Sequence, residues 1–311
     1  MPSSRTLQAC LLLVAGIDLF ACGTDPSPAT GDPPNGAAAT EMTGEYNSAD
    51  DRGIAETGAG AVTPEAASTI TVWIAGDSTV ANGSTPCPRG WGGRFGQLFN
   101  SGVTVTNSAV GGRSVRTWLF DVQSTKDSTG ECVLTLDATG KPILQARWQA
   151  MLSGMKSGDY LFIQFGINDS SPTCNRHVGL DAFKLSYGMM AQAAKARGAH
   201  PIFVTPLSAI ACMGSTARGT RGGYVTATKD AGVQFGVPVI DLHQLSVDLY
   251  NASGFCPIPG GGDVSSTTGG PVGAFFCADH THLEDAGAVR IAGLVANALR
   301  AQHIPLAAFL R

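Results

Sequence analysis

Short runs of consecutive apolar residues recur along residues 68–311, and stretches with helical spacing of apolar positions separate them. Strands buried on both faces are continuously apolar rather than alternating, so each run predicts a strand inside a covered sheet. Because strands alternate with helices, the pattern predicts a parallel sheet between two helical layers, a three-layer α/β/α domain. The predicted strands are Ile70–Ala75, Val103–Asn107, Tyr160–Phe165, Pro201–Pro206 and Val237–Asp241, the predicted helices cover 92–100, 143–156, 181–197, 222–235 and 284–301, and a long loop is predicted at 252–276.

The first 67 residues follow a different pattern. Within residues 1–22, Arg5 precedes an apolar run that is too short to span a bilayer comfortably, as in a cleaved export signal. The run ends in a segment that resembles a bacterial lipobox, so Cys22 is the predicted site of lipid attachment, with a plain signal peptide or a non-exported N-terminus as alternatives. Residues 23–67 are rich in Gly, Pro, Ala, Thr and acids, which predicts a disordered linker. We therefore expect an exported protein, either a bacterial cell-surface or outer-membrane lipoprotein or a secreted enzyme.

Charge is unevenly distributed along the chain. The net charge is −4, but residues 23–67 hold eight acidic residues and a single basic one, Arg52. The predicted domain at 68–311 therefore carries about +3. Nucleic-acid binding needs a clustered basic face, for which this weak excess gives no case, whereas an acidic polymer remains possible as a substrate.

Six cysteines follow position 67, and none forms a CxxC pair, which argues against a zinc ribbon or a thioredoxin-type site. An even number in an exported chain favours disulfide bonds, with buried free thiols as the alternative. Fifteen pairings are possible. The expected set is sequential, because each bond would then close one loop at the rim of the sheet: Cys87–Cys132, Cys174–Cys212 and Cys256–Cys277.

The first predicted strand leads into Gly76, Asp77 and Ser78. In open α/β sheets ligands bind beyond the carboxyl ends of the strands, so Ser78 lies where a nucleophile is expected. A serine hydroxyl is a weak nucleophile until a base lies beside it. The alternative for these residues alone is an ordinary helix cap, since Asp and Ser are good capping residues.

The segment before the last predicted helix supplies the base. Asp279 lies three residues before His282, a spacing that can place its carboxylate against the imidazole Nδ1 and leave Nε2 for Ser78. His280 is a competing base that adjoins Asp279 directly. Two histidines and an aspartate also suggest a metal site, but no further residue has metal-ligand spacing, so we expect neither a metal nor a cofactor.

Two other strand ends predict an oxyanion hole. Gly112 follows the second predicted strand and Asn168 follows the third. The backbone N–H groups of Ser78 and Gly112 and the side-chain amide of Asn168 would give three donors for a developing oxyanion. Each motif alone is compatible with ordinary turn chemistry. Their shared position at strand ends, together with the histidine before the last helix, favours one catalytic site.

The four segments around Ser78, Gly112, Asn168 and His282 resemble the motifs of the SGNH (GDSL) hydrolases. The resemblance covers roughly residues 70–300. Within that superfamily the chain looks most like rhamnogalacturonan acetylesterases, through residues 76–81 and 90–92, residues 112–114 with Arg116, and residues 279–282 with 286–287. The resemblance implies a flavodoxin-like, five-stranded parallel sheet in the strand order 2-1-3-4-5 and no metal. It also implies catalysis by Ser78, His282 and Asp279 and removal of acetyl groups from rhamnogalacturonan, pectin or xylan.

Substrate contacts are harder to assign from the sequence. Asp77, Arg113, Arg116 and His280 are the candidates, and Arg113 or Arg116 could pair with a uronate carboxylate because Arg binds carboxylates in bidentate fashion. A solvated rim is the alternative for these arginines. The expected partner is an acetylated polysaccharide or oligosaccharide bound by a monomer, with membrane contact only through a lipid on Cys22.

Two other functions compete with a carbohydrate acetylesterase. A lipid esterase, lysophospholipase or thioesterase of the same fold would need an apolar acyl groove, which the few aromatics and the polar loop at 252–276 do not favour. A non-catalytic surface glycan-binding lipoprotein would be expected to lack a member of the catalytic triad, and none is missing. The absence of GxSxG excludes an ordinary α/β-hydrolase nucleophile elbow.

Overall fold

The computed structural model describes residues 69–83, 87–258 and 270–311. The predicted export signal, the predicted linker and part of the predicted loop at 252–276 lie outside the described residues. The strands, in chain order, are β1 Ile70–Gly76, β2 Val103–Asn107, β3 Val122–Lys126, β4 Cys132–Leu134, β5 Tyr160–Gln164, β6 His200–Val204, β7 Ala211–Met213, β8 Thr216–Arg218 and β9 Val239–Ile240.

Eight α-helices fall within the described parts of the chain. Two short 3₁₀ segments are also present, Gly96–Leu98 and Pro305–Phe309. The helices are α1 Gly92–Phe95, α2 Val115–Leu119, α3 Ala146–Gly154, α4 Leu180–Lys195, α5 Gly222–Phe235, α6 Leu242–Ala252, α7 Gly270–Gly273 and α8 Asp285–Ala301.

One parallel sheet contains the five predicted strands in the order β2-β1-β5-β6-β9. Counted along the chain, this is the order 2-1-3-4-5, so the predicted flavodoxin-like topology is confirmed. The remaining strands pair as two antiparallel hairpins, β3–β4 and β7–β8, which the apolar pattern did not predict.

The sheet is covered on both faces, which explains why its strands are continuously apolar. On β5, Phe162 packs into one core cluster, whereas its neighbours Leu161 and Ile163 pack into the other. The first cluster takes side chains from α1, α6 and α8, and the second takes them from α2, α3, α4 and α5. The three-layer prediction is therefore confirmed. Within the described ranges, no helix combines the length and the apolarity that a bilayer span requires.

Three disulfide bonds are present, but the expected pairing is wrong in all three cases. Each observed bond joins segments that follow different strands of the sheet, and two of the three expected bonds would have done so as well, so the error lies in which segments are neighbours. Because the order β2-β1-β5-β6-β9 sets which loops are neighbours, cysteines distant in sequence meet. The observed bonds are Cys87–Cys277, Cys132–Cys174 and Cys212–Cys256, with Cα–Cα distances of 6.0, 4.6 and 5.6 Å.

Candidate active site

Ser78 lies on a tight turn directly after β1. The backbone carbonyl of Asp77 accepts hydrogen bonds from the N–H groups of Val80 and Ala81, at 3.1 and 3.0 Å, which closes the turn. Gly76 precedes the turn, and a β-carbon there would lie 2.7 Å from Val80 Cγ2 and 3.0 Å from the carbonyl oxygen of Gln164. Only glycine lets the chain leave the strand this closely, so the sequence dictates where the hydroxyl of Ser78 stands.

A chain of buried hydrogen bonds fixes this turn to the sheet. Thr79 donates to Asp77 Oδ1 from both its N–H and its hydroxyl, at 2.9 and 2.8 Å. Gln164 on β5 donates to the Thr79 hydroxyl at 2.8 Å and accepts from the indole N–H of Trp91 at 2.9 Å. All four side chains are buried. The glycine-rich segment around Trp91 therefore packs beneath the nucleophile turn.

Asp77 was a candidate substrate contact, and the structure corrects this expectation. Its side chain is fully buried beneath the turn, where a polysaccharide cannot reach it. Burial raises the pKa of Asp77 to about 6, against the lowering effect of the hydrogen bonds from Thr79 and of the nearby His282. Asp77 therefore organises the turn that carries the nucleophile.

His282 is held by Asp279 in a single turn of chain. Asp279 Oδ1 accepts hydrogen bonds from the N–H groups of His282 and Thr281, at 2.9 and 3.1 Å, and Asp279 Oδ2 pairs with His282 Nδ1. Partial burial raises the pKa of Asp279, but these hydrogen bonds outweigh it and hold the pKa below its ordinary value. The carboxylate thus stays ionised and keeps the proton of the neutral imidazole on Nδ1.

The other imidazole nitrogen contacts the hydroxyl of Ser78. His282 Nε2 lies 2.7 Å from Ser78 Oγ, although 204 residues separate the two in sequence. With the proton on Nδ1, Nε2 accepts the hydrogen bond from the serine hydroxyl. The structure therefore brings Ser78, His282 and Asp279 together in the geometry that general-base activation of a serine requires.

Gly112 and Asn168 lie on two loops that meet close to the turn of Ser78. The loop of Gly112 passes beside Ser78, since a β-carbon on the neighbouring Gly111 would lie 3.6 Å from Ser78 Cβ. Gly112 adopts a φ of +75°, a left-handed conformation that favours glycine. Asn168 is held in place because its side-chain amide donates to the carbonyl of Arg113 at 3.1 Å. Within the described parts of the chain, the N–H groups of Ser78 and Gly112 have no acceptor.

A buried carboxylate that the sequence analysis missed joins these two loops. Asp169 accepts hydrogen bonds from the N–H groups of Val115, at the start of α2, and Gly166, just after β5, each at 2.9 Å. Burial raises the pKa of Asp169 to about 7, against the lowering effect of these bonds. The only signal in the sequence was its position next to Asn168.

A cleft of about 410 Å³ opens beside the imidazole. Its wall is polar apart from Ile167, and two arginines contribute to it, Arg176 and Arg221. Neither arginine was predicted as a substrate contact from the sequence. The lining residues are Ile167, Asn168, Ser170, Ser171, Arg176, Arg221, Asp279, Thr281 and His282.

The arginines that were predicted to bind substrate do not line this cleft. Arg116 forms an ion pair with Glu131 at 2.7 Å and donates twice to the carbonyl of Cys132, so it braces the β3–β4 hairpin. The expectation of a uronate contact at Arg116 is therefore wrong, because its guanidinium is already occupied. Arg113 is exposed and lies outside the cleft lining.

His280 points away from the nucleophile. It lines a separate cavity of about 440 Å³, together with Ile210, Cys212 and Pro257. Its backbone is left-handed, with φ of 62°, and its carbonyl accepts from the N–H of Ile210 at 2.9 Å. The structure thus brings His282, and not His280, to Ser78.

Comparisons with known proteins identify the family of this chain. The model of the GDSL-like lipase/acylhydrolase family matches residues 74–288. The rhamnogalacturonan acetylesterase RhgT of Bacillus subtilis (strain 168) is 32% identical over 254 residues, and the match covers 76% of this chain and 92% of that protein. The probable rhamnogalacturonan acetylesterase YesY of the same strain is 25% identical over 238 residues, covering 76% of this chain and 94% of that protein.

Among solved structures, the crystal structure of the Bacillus subtilis protein YxiM superimposes with a TM-score of 0.57 at 23% identity. The match covers 76% of this chain but 58% of that one, so the chain spans little more than half of its length. At this identity the likeness shows the fold alone. The chain belongs to the GDSL-like lipase/acylhydrolase family, as the sequence resemblance predicted, and is a carboxylic ester hydrolase.

Proposed function

We propose that this protein is a carbohydrate O-acetylesterase that removes acetyl groups from a plant-type polysaccharide, rhamnogalacturonan, pectin or xylan. In this proposal Ser78 is the nucleophile, His282 the general base and Asp279 its orienting carboxylate. The observation that carries the proposal is the 2.7 Å contact between Ser78 Oγ and His282 Nε2, on an imidazole whose other nitrogen pairs with Asp279.

The first half of the reaction forms an acetyl-enzyme. Ser78 Oγ attacks the ester carbonyl carbon while His282 Nε2 takes the hydroxyl proton. The negative charge that develops on the carbonyl oxygen is stabilised by the N–H groups of Ser78 and Gly112 and by the amide of Asn168. The tetrahedral intermediate then collapses, and the sugar oxygen leaves with the proton from His282.

The second half of the reaction regenerates the enzyme. A water molecule gives a proton to His282 Nε2 and attacks the acetyl carbonyl through the same oxyanion hole. When this intermediate collapses, acetate leaves and the proton returns to Ser78 Oγ. Asp279 keeps its negative charge throughout and stabilises the imidazolium that forms in each half-reaction.

The character of the cleft supports a short acyl group on a hydrated substrate. A long acyl chain needs an apolar groove, whereas eight of the nine residues that line the cleft beside His282 are polar or charged. The relatives RhgT and YesY bear the names of a rhamnogalacturonan acetylesterase and a probable one. Both observations favour an acetylated carbohydrate over a lipid.

Acetate release from acetylated rhamnogalacturonan, xylan and mannan tests this proposal. We expect the wild-type protein to release acetate from at least one of them and to prefer p-nitrophenyl acetate to p-nitrophenyl octanoate. Ser78→Ala, with an equal circular-dichroism spectrum, is the matched control. Equal acetate release by Ser78→Ala would overturn the catalytic assignment, and preference for octanoate would favour the lipid esterase.

We further propose that the protein is exported and anchored by a lipid on Cys22. Three disulfide bonds support export, since such bonds persist in oxidising compartments. In a bacterial expression host, the wild-type chain should fractionate with membranes and Cys22→Ala should be soluble. Identical fractionation of the two proteins would contradict the anchor.

A further inference from the structure

Two arginines that no family motif assigns, Arg176 and Arg221, stand in the wall of the catalytic cleft. They come from separate parts of the chain. Arg176 lies on the loop after β5, and Arg221 lies immediately before α5. Within the described residues, neither guanidinium has a carboxylate within ion-pair distance, whereas Arg94 and Arg116 are both paired.

Arg176 is held close to the reaction centre. Its loop is tied by the Cys132–Cys174 disulfide, two residues away, and its N–H donates to the carbonyl of Thr173 at 2.9 Å. A β-carbon built on Gly112 would lie 3.6 Å from Arg176 Nη2, so the guanidinium lies over the loop of the oxyanion hole. A sugar attached to the reacting ester would pass within its reach.

Arg221 is fixed from the other direction. Its Nη1 donates to the hydroxyl of Ser170 at 2.8 Å, and its backbone is left-handed, with φ of 61°. Its Nε is buried and has no acceptor in the described parts of the chain. Helix α5 begins one residue later, with no capping side chain and no acid in its first turn, so the positive end of its dipole adds to the charge here.

The single carboxylate of the cleft lining does not neutralise these charges. Asp279 is already committed to His282 through both of its oxygen atoms. The cleft therefore presents two unpaired guanidinium groups to a substrate beside the nucleophile. Guanidinium groups bind carboxylates through strong, directional hydrogen bonds.

We propose that Arg176 and Arg221 form a carboxylate-binding subsite that selects acetyl esters on uronate-containing polysaccharides over neutral ones. The proposal rests on the carbohydrate acetylesterase function and narrows it, because rhamnogalacturonan contains galacturonate whereas a xylan backbone is neutral. In this proposal Arg176 and Arg221 bind the uronate carboxylate, a role that the sequence suggested for Arg113 or Arg116.

The test compares an acetylated rhamnogalacturonan oligosaccharide with its methyl ester, in which the uronate carboxylates no longer carry a charge. We expect wild-type kcat/KM to be at least about tenfold higher on the free acid. Arg176→Gln and Arg221→Gln should each reduce this ratio several-fold, chiefly through KM, and the double variant should abolish it. Arg218→Gln, which removes an exposed arginine outside the cleft lining, is the matched control.

A wild-type ratio near one, or equal ratios in the wild type and the double variant, would overturn the subsite. If Arg113→Gln alone removed the preference for the free acid, the carboxylate would bind at the exposed Arg113. That result would also overturn the subsite.

A second measurement separates failure of the subsite from failure of the proposed function. Trigalacturonate should competitively inhibit hydrolysis of p-nitrophenyl acetate, and its inhibition constant should rise about tenfold in the double variant. If the wild type releases no acetate from either oligosaccharide but this shift is seen, the acetylesterase proposal fails and the anionic subsite stands. Equal inhibition constants in the wild type and the double variant would overturn the subsite, whatever the oligosaccharides show.

Discussion

Ser78 and His282 meet across 2.7 Å, but the segments that carry them are built differently. The neighbours of Ser78, Asp77 and Thr79, are fully buried and joined by hydrogen bonds to the strand β5. On the histidine segment, by contrast, the side chains of Asp279 and His282 are 52% and 26% exposed. That segment is held by hydrogen bonds within it, by backbone hydrogen bonds from Ile210 and Arg89, and by the Cys87–Cys277 disulfide at its start.

Stability and catalysis are therefore expected to be coupled at Ser78 but not at His282. The nucleophile is positioned by the core, so a change in the network beneath it should alter the free energy of unfolding as well as the rate. The base is positioned by groups near the surface, whose contribution to stability is small. Changes there should alter the rate while leaving the melting temperature almost untouched.

The largest effect is expected at Asp279. Asp279→Asn removes the charge that stabilises the imidazolium and weakens the preference for a proton on Nδ1, so kcat should fall by about 10³–10⁴-fold. The melting temperature should change by less than about 3 °C. Steady-state kinetics and calorimetry measure both quantities. Glu284→Gln, which removes a charge from the same segment without touching the imidazole, should retain wild-type kcat. A large fall in melting temperature for Asp279→Asn would break the contrast between the two segments.

A smaller effect on the rate is expected at Asn168. Asn168→Ala removes one donor of the proposed oxyanion hole. We expect kcat to fall by a factor of about 10 to 10², while KM changes little. Ser171→Ala, on the same loop and also in the cleft lining, tests whether any polar loss has this effect. An unchanged kcat in Asn168→Ala would remove its amide from the oxyanion hole.

A change in the hydrogen-bond network beneath Ser78 should affect stability more than rate, whereas the changes at Asp279 and Asn168 should affect rate more than stability. Gln164→Leu leaves the Trp91 indole N–H without its acceptor and removes a donor from the Thr79 hydroxyl. Two disrupted buried hydrogen bonds should cost about 2–4 kcal/mol, or roughly 5–10 °C in melting temperature, with less than about a tenfold loss of kcat. Gln192→Leu, at an exposed position on α4, is the control. An unchanged melting temperature in Gln164→Leu would show that the network does not stabilise the fold.

The last expected effect is a pH dependence of stability. Burial raises the pKa of Asp169 to about 7 and that of Asp77 to about 6, from 3.8. Between about pH 4 and pH 7 the folded state therefore holds more protons than the unfolded state, and its stability falls as the pH rises. The melting temperature should therefore be lower at pH 8 than at pH 5. Carboxyl groups whose pKa is lowered, such as Asp279, change the stability only below about pH 4. They do not alter its trend between about pH 4 and pH 7. A melting temperature that rises steadily from pH 5 to pH 8 would contradict the assignment.

The sheet could be predicted because its strands carry a strong local signal. Burial on both faces makes Ile70–Gly76 and Tyr160–Gln164 continuously apolar, and the observed bounds lie within one residue of the predictions. Helix α5 was predicted with its observed bounds. Helix α6 was missed, and the two hairpins outside the sheet are only three to five residues per strand, too short for a periodic pattern.

The site was predictable where chemistry follows a strand end, and unpredictable where it depends on which loops meet. Ser78, Gly112 and Asn168 each follow a strand of the sheet. The disulfide partners and the arginines of the cleft depend instead on the three-dimensional order of the loops. Arg116 seemed available for substrate in the sequence, yet Glu131 occupies it in the fold.

Labelling with diisopropyl fluorophosphate, which phosphorylates activated serine hydroxyls, tests whether His282 activates Ser78. Mass spectrometry of the labelled protein should show one adduct per chain, on the peptide that contains Ser78. His282→Ala should slow the labelling by at least about 100-fold, because the hydroxyl then has no base to take its proton. An adduct on a different residue, or labelling of His282→Ala at the wild-type rate, would contradict the pairing of this serine with this histidine.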